Sequence, residues 1–282
     1  QRSLVGSEMC IRDSYELVGG HGLKQTNFCG QYYVLDKSQG GIINSVVFPC
    51  PDEHGFKGIL VAPTVHGNLI VGPDAYQVED GDHVATVEPY LSQVKSGGLR
   101  SVPGIDFRQT IHEYAGVRPN TQIPDFVIEE SPICPHFINL AGIKSPGLSA
   151  APAIALEGLR ILSGCGLELT EKETFIDRRR RIKFRELSNA EKAAVIAEDP
   201  LYGRVICRCE TVTEGEIVEA IHRPIVPRSI DAIKRRCNAG MGRCQGGFCG
   251  PRVHEILARE LGVSPMDITM DEEGTWLLSS PI

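Results

Sequence analysis

The chain has 282 residues and a mass of 30.8 kDa, enough for one large domain or two smaller ones. Hydrophobic residues make up 41% of it and charged residues 23%, a composition that excludes a largely disordered protein. The net charge of −7 argues against a nucleic-acid partner. No apolar run approaches the roughly 18 residues of a membrane-spanning helix, and no secretory signal pattern is found. We therefore expect a cytoplasmic protein without a transmembrane segment, which leaves peripheral membrane association open.

Residues 1–14 share no pattern with the chain that follows. They begin with Gln1 rather than an initiator Met, and their apolar residues follow no clear period. We interpret them as translated sequencing-adapter sequence, a non-native leader that we exclude from the fold prediction. The alternative is a disordered natural leader. On the first interpretation we expect the natural protein to extend further at its N-terminus, so that this chain is a fragment.

From residue 15 to about residue 141 the pattern indicates strands. Runs at 31–37 and 42–48 are joined by Ser-Gln-Gly-Gly and predict one hairpin, and runs at 58–63 and 68–72 around Thr-Val-His-Gly predict another. Antiparallel pairs dominate, so we expect a sheet domain with few helices. Further strands are predicted at 110–117, 126–129 and 137–141, and a short helix at 87–96.

The pattern changes to a helical period at residues 149–165 and then to a polar linker at 170–203. Within this linker, six of the eight residues from 178 to 185 are basic, namely Arg178–Arg181, Lys183 and Arg185. Such a run can bind nucleic acid. Because Phe184 is its only aromatic residue, we favour a solvated connector or a strip that docks on an acidic surface.

The part of the chain from residue 204 onwards indicates a small helical unit. Thr213 and Glu216 form a capping-box pattern, Ser229 can cap a second helix, and Pro251 suits the first turn of a third. Three helices this short enclose little apolar surface. A unit of this size usually needs a covalent or metal staple.

Four of the ten cysteines form two close pairs in this unit. Cys207-x-Cys209 is followed by Cys244-x4-Cys249 in a glycine-rich loop. Two pairs of thiolates suit a tetrahedral metal ion or a two-iron cluster, and the glycines let backbone N–H groups approach sulfur. Zinc sites usually place two to four residues between paired cysteines, so the single intervening residue favours iron and sulfide. Zinc, and buried or disulfide-bonded cysteines, are the alternatives.

The other cysteines show no ligand spacing. Cys237 lies on a predicted helix, and we interpret it as a packed side chain, with a substitute ligand as the alternative. Four further cysteines stand singly without a histidine at a recognisable spacing, so we expect small buried side chains and no nucleophile; they are Cys29, Cys50, Cys134 and Cys165.

The cysteine segments ICRCETVTEGEI and IKRRCNAGMGRCQGGFCGPRV resemble the 2Fe–2S domain related to bacterioferritin-associated ferredoxin (BFD). The resemblance covers about residues 204–262. It implies a small helix-turn-helix fold with a 2Fe–2S cluster under its loops. By position, it also implies that the cluster ligands are Cys207, Cys209, Cys244 and Cys249. The form with four residues between the last two cysteines looks like the one fused to anaerobic glycerol-3-phosphate dehydrogenase large subunits.

Three upstream stretches resemble FAD-dependent oxidoreductases of the D-amino-acid oxidase superfamily, in the glycerol-3-phosphate dehydrogenase and 2-hydroxyglutarate oxidase branch. They are KGILVAPTVHGNLIVGP, IHEYAGVRPN and FINLAGIKSPGLSAAPAIA, within about residues 28–163. The resemblance implies that Arg118 holds the anionic group of a substrate and that His66 contacts it. It implies further that the turn before the helix borders the flavin, through Gly142, Ser145, Gly147 and Leu148. A helix N-terminus there can stabilise negative charge at the flavin edge.

We therefore predict an α+β protein, in which an antiparallel-sheet substrate domain with the remnant of an FAD-binding domain precedes a small all-α helix-turn-helix iron–sulfur domain. No Gly-x-Gly-x-x-Gly turn of a dinucleotide-binding fold occurs in the chain. The predicted function is a fragment of a flavin oxidoreductase that oxidises a small anionic alcohol or amine and passes electrons from FAD through the cluster to an acceptor protein or second subunit. The alternative is a non-redox metal-binding interaction module.

The predicted domain limits are 1–14 (leader), 15–169 (flavoprotein part), 170–203 (linker), 204–262 (BFD-like domain) and 263–282 (extension).

Overall fold

The structure, a computed structural model, describes residues 8–51, 58–143, 146–177 and 181–280. The chain divides into two compact units, Gln1–Phe175 and Ile176–Ile282, and each has an apolar core. Across the described residues there are seven α-helices and nine strands, and every strand pairing within the sheets is antiparallel. The predicted mixture of helices and antiparallel sheet is confirmed. None of the described helices combines the length and the apolar character needed to cross a bilayer.

The first unit contains a five-stranded sheet, a two-stranded sheet and three helices. In chain order its elements are α1 (Glu8–Leu17), β1 (Gln25–Leu35), β2 (Leu60–Pro63), β3 (Leu69–Gly72), β4 (Tyr76–Val78), α2 (Glu88–Ser101), β5 (Thr110–Thr121), β6 (Val127–Glu130), β7 (Ile138–Ala141) and α3 (Gly147–Gly164). Helix α1 extends across residue 14, the predicted end of the leader.

Strand β1 organises the larger sheet. Strand β5 pairs with one edge of β1, from Gln25 opposite Thr121 to Leu35 opposite Thr110. Strands β3 and β4 share the other edge of β1, and β2 lies outside β3. The run Gln25–Leu35 is rich in aromatic and β-branched residues, which suit a strand with neighbours on both sides.

The two predicted hairpins have opposite outcomes. The β2–β3 hairpin is confirmed, with Leu60 opposite Gly72. The hairpin between 31–37 and 42–48 is wrong, because 42–48 contributes only an isolated bridge between Val47 and Val61. After β1, the carboxylate of Asp36 accepts a hydrogen bond from the Ser38 N–H (3.0 Å) and starts a short 3₁₀ turn, so the chain leaves the sheet.

Helix α2 covers one face of this sheet. Its Leu91 and Val94 are buried at helical spacing, and a Cβ on Gly98 would lie 2.6 Å from Val71, so only glycine permits this approach. The apolar core between helix and sheet consists of Leu35, Val61, Leu69, Val71, Val94, Val102 and Ile105. The opposite face of the sheet carries Arg118 of β5.

The second unit contains four helices and a short ribbon. Its elements are α4 (Asn189–Glu198), β8 (Val205–Cys207), β9 (Val212–Thr213), α5 (Glu214–Ile221), α6 (Ile230–Cys237) and α7 (Gly250–Leu261). The predicted starts are confirmed, since Thr213 and Glu216 form a capping box and Ser229 caps α6. The β8–β9 ribbon is an addition to the predicted all-α arrangement. Ile268, from the predicted extension, is buried in the core of this unit.

The basic linker packs on the second unit where it is described. Phe184 is buried, and its N–H donates to Oε1 of Glu216 (3.2 Å). Arg185 forms an ion pair with the buried carboxylate of Glu210 (2.9 Å). These contacts match the predicted connector that docks on acidic groups. Arg178–Arg180 lie outside the described residues.

The two capping boxes differ in burial and so give a matched test. Thr213 is fully buried, whereas the equivalent Ser188 box at the start of α4 is exposed. We expect Thr213→Ala to cost about 1–2 kcal/mol in the opening free energy of α5, and Ser188→Ala about 0.5 kcal/mol in α4. Amide hydrogen exchange of the full chain measures both. Equal losses at the two sites would contradict the role assigned to burial.

Candidate functional site

The four paired cysteines come from segments that are distant in sequence but adjacent in the second unit. Cys207 ends β8 and Cys209 follows in the turn, while Cys244 lies in the glycine-rich loop and Cys249 precedes α7. Cys207 and Cys249 are buried in the core cluster, and Cys209 and Cys244 are exposed. The cysteine arrangement therefore has an inner side in the core and an outer side at the surface.

The sulfur atoms form two pairs, and each pair joins the two segments. The Sγ atoms of Cys209 and Cys244 are 3.6 Å apart, and the thiol of Cys249 lies close enough to Cys207 to lower the pKa of that cysteine. Two thiolates on one tetrahedral metal ion, each about 2.3 Å from it, lie about 3.8 Å apart. No three of these four sulfurs lie within 4.8 Å of one another, although all four are described. This arrangement fits two metal ions that share the site better than one tetrahedral zinc.

Hydrogen-bond donors surround the sulfur atoms. The Cys249 thiol, together with backbone N–H groups that include that of Gly240, lowers the pKa of Cys207 to about 6. The backbone N–H of Phe248 likewise lowers the pKa of Cys244. Such donors stabilise thiolates, which are the form that binds metal, and they stabilise the added charge of a reduced cluster. The loop therefore fits an iron–sulfur cluster.

Glycine is required where the two segments meet. A Cβ on Gly242 would lie 2.2 Å from the Cβ of Cys209, closer than any packed carbon contact. Gly240 and Gly246 have φ angles of +93° and +84°, in the left-handed region that favours glycine. The glycine spacing in the sequence thus reflects the close approach of the loop to the Cys207–Cys209 turn.

Cys237 is hydrogen-bonded within its own helix. It is buried in α6, its thiol donates to the carbonyl oxygen of Ile233 (3.3 Å), and burial raises its pKa to about 11. A cysteine held as a neutral thiol in a helix core is a packed side chain, as predicted.

In the first unit, Arg118 lies on β5 opposite Phe28 of β1. Its Nη2 donates to the carbonyl oxygen of Asp74 (3.1 Å), and a Cβ on Gly30 would lie 2.7 Å from the same Nη2. Within the described part of the chain the guanidinium makes this one hydrogen bond and no ion pair, and a guanidinium has five N–H donors. Most of its donors therefore remain available for an anionic ligand.

The position of Asp74 is held by a buried network. Its carboxylate accepts hydrogen bonds from the backbone N–H (2.6 Å) and the side-chain Nε2 (3.1 Å) of Gln31. The Oε1 atom of Gln31 in turn accepts from the N–H of Val87 (2.5 Å) at the start of α2. The Asp74 carboxylate is thus occupied by Gln31, and only its carbonyl oxygen contacts Arg118.

A gap opens on the sheet face that carries Arg118. Gly30 and Gly116 lie opposite each other, and the next pair on this face, Tyr32 and Tyr114, stack with ring centroids 4.9 Å apart. The space over Gly30 is filled, in part by Arg118 itself. A Cβ on Gly116 would have no atom within 4 Å. Glycine inside a strand often marks the close approach of a ligand. A small open surface, here called the shelf, therefore lies between Arg118 at one end and the stacked tyrosine rings at the other. The sequence patterns did not single out the glycine pair or the tyrosines, although a glycine inside a predicted strand is a signal that could have indicated them.

The structure does not bring His66 to this shelf. His66 is exposed in the turn between β2 and β3, next to the end of β1 at Leu35. Arg118 lies opposite Phe28, near the other end. Since a strand rises about 3.3 Å per residue, roughly 20 Å of β1 separates the two positions.

The predicted flavin turn lies at the same end of β5 as Arg118. A Cβ on Gly142 would be 3.1 Å from Oγ1 of Thr121, the last residue of β5. Helix α3 starts at Gly147 without a side-chain cap, and Leu148 is 92% exposed there. Uncapped N–H groups at a helix start can face an anionic group, which fits the negative edge of a flavin. Ser145 lies outside the described residues.

Comparisons with known proteins cover both units. The sequence profile of the FAD dependent oxidoreductase family (DAO) matches residues 13–157, just over half of the chain. That of the BFD-like 2Fe-2S binding domain matches residues 205–259. A glycerol 3-phosphate dehydrogenase from Caloramator mitchellensis is 50% identical over 253 residues, which are 89% of this chain and 52% of the relative.

Two further relatives match the first unit. A glycerol 3-phosphate oxidase from Mycoplasma genitalium is 37% identical over 142 residues, which are 50% of this chain and 37% of the relative. Among solved structures, the L-alpha-glycerophosphate oxidase from Mycoplasma pneumoniae with FAD bound has a TM-score of 0.52 and 33% identity, over 58% of this chain and 42% of that one. The chain spans about half or less of the length of these proteins. It belongs to the FAD-dependent oxidoreductase family and carries a BFD-like 2Fe–2S-binding domain after its flavoprotein part.

Proposed function

We propose that the protein containing this chain oxidises glycerol 3-phosphate, or a small 2-hydroxy acid or amine of similar charge, and passes the electrons through a 2Fe–2S cluster to an acceptor protein or second subunit. The observation that carries this is the presence of two close sulfur pairs within a chain of the flavoprotein family. A relative that matches both units at 50% identity is a glycerol 3-phosphate dehydrogenase, which favours that substrate. The domain limits predicted from the sequence remain part of the proposal.

The cluster ligands would be the four paired cysteines, with each iron held by one cysteine from each segment. Cys209 and Cys244 would hold the outer iron, and Cys207 and Cys249 the inner one. With both cofactors bound, the flavin would supply two-electron oxidation of the substrate and the cluster would supply one-electron transfer to the acceptor. The exposed pair would form the outer edge of the site, where an acceptor can approach most closely.

The surface around the outer pair suits a protein partner. Phe248 is 58% exposed and Met241 43%, and the Arg208 guanidinium lies over the Phe248 ring, 4.7 Å from its centroid. Exposed apolar side chains and a cation in this loop region fit a partner that presents apolar side chains beside acidic ones. We therefore propose that the electron acceptor docks at this edge.

In the first unit, Arg118 would hold the anionic group of the substrate over the shelf, next to Gly116. Its free N–H donors form a fork that matches a carboxylate or phosphate, and Gly116 leaves room above the strand. The turn at Gly142 and the start of α3 at Gly147 and Leu148 would border the flavin at the same end of the sheet. His66 lies too far from Arg118 to share this site, because the roughly 20 Å of β1 between them exceeds the length of a small substrate.

The first test is the metal content of the full chain, produced without air. We expect about two irons and two acid-labile sulfides per chain, and loss of both in Cys207→Ser, Cys209→Ser, Cys244→Ser and Cys249→Ser. Cys237→Ser is the matched control. This variant should keep the full iron content, because the Cys237 thiol is hydrogen-bonded to the carbonyl oxygen of Ile233. A colourless protein without iron, whose bound zinc is lost when any of these four cysteines is replaced, would support the non-redox binding module instead.

The second test concerns the glycine contact. Gly242→Ala places a methyl group against Cys209 and should reduce the iron content by more than half, as measured by metal analysis and visible absorbance. Gly250→Ala, at the start of α7, meets no atom within 4 Å and should keep full occupancy. Equal iron in the two variants would show that the loop does not require the close approach seen here.

The third test concerns substrate binding in the complete flavoenzyme. Arg118→Lys removes the planar fork, so we expect the KM for an anionic substrate to rise about tenfold or more, with a smaller change in kcat. Arg108→Lys is the control, since Arg108 is exposed and paired with Asp106 at the surface (2.9 Å). An unchanged KM in Arg118→Lys would remove Arg118 from the substrate site.

A further inference from the structure

Three different metal-binding side chains meet in the first unit, and none of them belongs to the two sites already described. The ligand atoms of Glu130, His136 and Cys165 all lie within 4.8 Å of one another. Within the described residues this is the one group of three or more such side chains at this spacing. The sequence does not reveal it, because the three residues are distributed over thirty-six positions without a recognisable motif.

Three separate elements bring these side chains together. Glu130 ends β6, His136 lies in the loop before β7, and Cys165 is the residue that follows the last turn of α3. The backbone N–H of His136 donates to Oε1 of Glu130 (2.8 Å), and the Sγ atom of Cys165 lies within 4.8 Å of a carboxylate oxygen of Glu130. The Nδ1 atom of His136 is 4.0 Å from Oε1 of Glu130.

The loop that carries His136 is held in one conformation. His136 has a φ of +66°, which is uncommon for a residue with a side chain. The hydroxyl of the buried Ser131 accepts hydrogen bonds from the N–H groups of Ile133 (3.3 Å) and Cys134 (3.2 Å). The backbone of Phe137 pairs with Ser131 to close the loop (2.7 Å). The imidazole is therefore presented at Glu130 by an ordered turn.

The chemistry of the donors suits a borderline divalent ion. A thiolate, an imidazole and a carboxylate are the three ligand types that zinc binds, at about 2.0–2.3 Å. Ligands at those distances in a tetrahedron lie roughly 3.3–3.8 Å apart, so atoms that lie within 4.8 Å of one another need to close by at most about 1.5 Å. Harder ions such as Mg²⁺ would prefer oxygen ligands alone.

The position at the end of α3 adds a favourable field. Cys165 follows the eighteen-residue helix Gly147–Gly164, whose C-terminal end carries the negative side of the helix dipole. A cation bound by Cys165 lies at that end. The group thus combines three suitable donors with a helix terminus of the right sign.

We propose that Glu130, His136 and Cys165 form a zinc-type site with three protein ligands and a fourth position open to water or an exogenous ligand. On binding, the Cys165 thiol loses its proton to solvent as the metal–sulfur bond forms, and the ion changes no oxidation state. The site is separate from the cluster cysteines and from Arg118. It does not depend on the proposed redox function.

The test is a calorimetric titration of Zn²⁺ into the full chain with its cluster loaded, after free metal has been removed. We expect one ion to bind in the micromolar range or tighter, and Cys165→Ser to weaken that binding by about tenfold or more, since even outer-sphere partners of a metal carry an effect of this size. His136→Asn should weaken it similarly.

Cys134→Ser is the matched control, because Cys134 lies in the same loop but outside the group of three. It should bind Zn²⁺ as the unaltered chain does. The proposal is overturned if the unaltered chain shows no binding below about millimolar Zn²⁺, if Cys165→Ser binds normally, or if Cys134→Ser loses binding to the same extent. Iron and sulfide are measured after each titration, and binding that occurs only as the cluster iron is displaced also overturns it.

Discussion

The meeting of the Cys207–Cys209 turn with the loop from Gly240 to Cys249 is the contact on which the second unit depends. Both inner cysteines belong to the apolar core, together with side chains from α5, α6 and α7. A core assembled from three short helices buries little apolar surface. A link between the turn and the loop therefore adds a larger fraction of the folding free energy here than it would in a large domain. Glycine at residue 242 permits that tie, because any side chain there would meet Cys209. The same contact therefore serves stability and brings the four paired cysteines together.

In the first unit, the long register between β1 and β5 has the corresponding role. It sets Gly30 against Gly116 and Tyr32 against Tyr114, and it places Arg118 at the end of the sheet where β5 meets the turn before α3. A shift of this register by one residue would turn each of these side chains to the face covered by α2. The buried residues of β1, among them Leu35, prevent such a shift. The shelf is thus a consequence of how the opposite face packs.

Much of the local structure follows from the sequence, because caps, turns and hydrophobic periods act over a few residues. The helices that start after Ser188, Thr213 and Ser229 and the β2–β3 hairpin are of this kind. The wrong hairpin after β1 shows the limit of such patterns. The run at 42–48 has strand-forming residues, but β1 pairs more extensively with β5, which lies far away in sequence, and the turn at Asp36 takes the chain out of the sheet. Propensity does not identify a strand's partner.

The residue types, the cysteine spacing and the family resemblance were determined by the sequence alone. They identify the cofactor classes, the four cluster cysteines and Arg118 as candidates, since metals and anions demand particular chemical groups. Only the tertiary structure decided which atoms meet. It paired the cysteines across segments, separated His66 from Arg118, and joined Cys165 to His136 and Glu130. The physical reason is that a fold brings together residues whose separation along the chain carries no information about their distance in space.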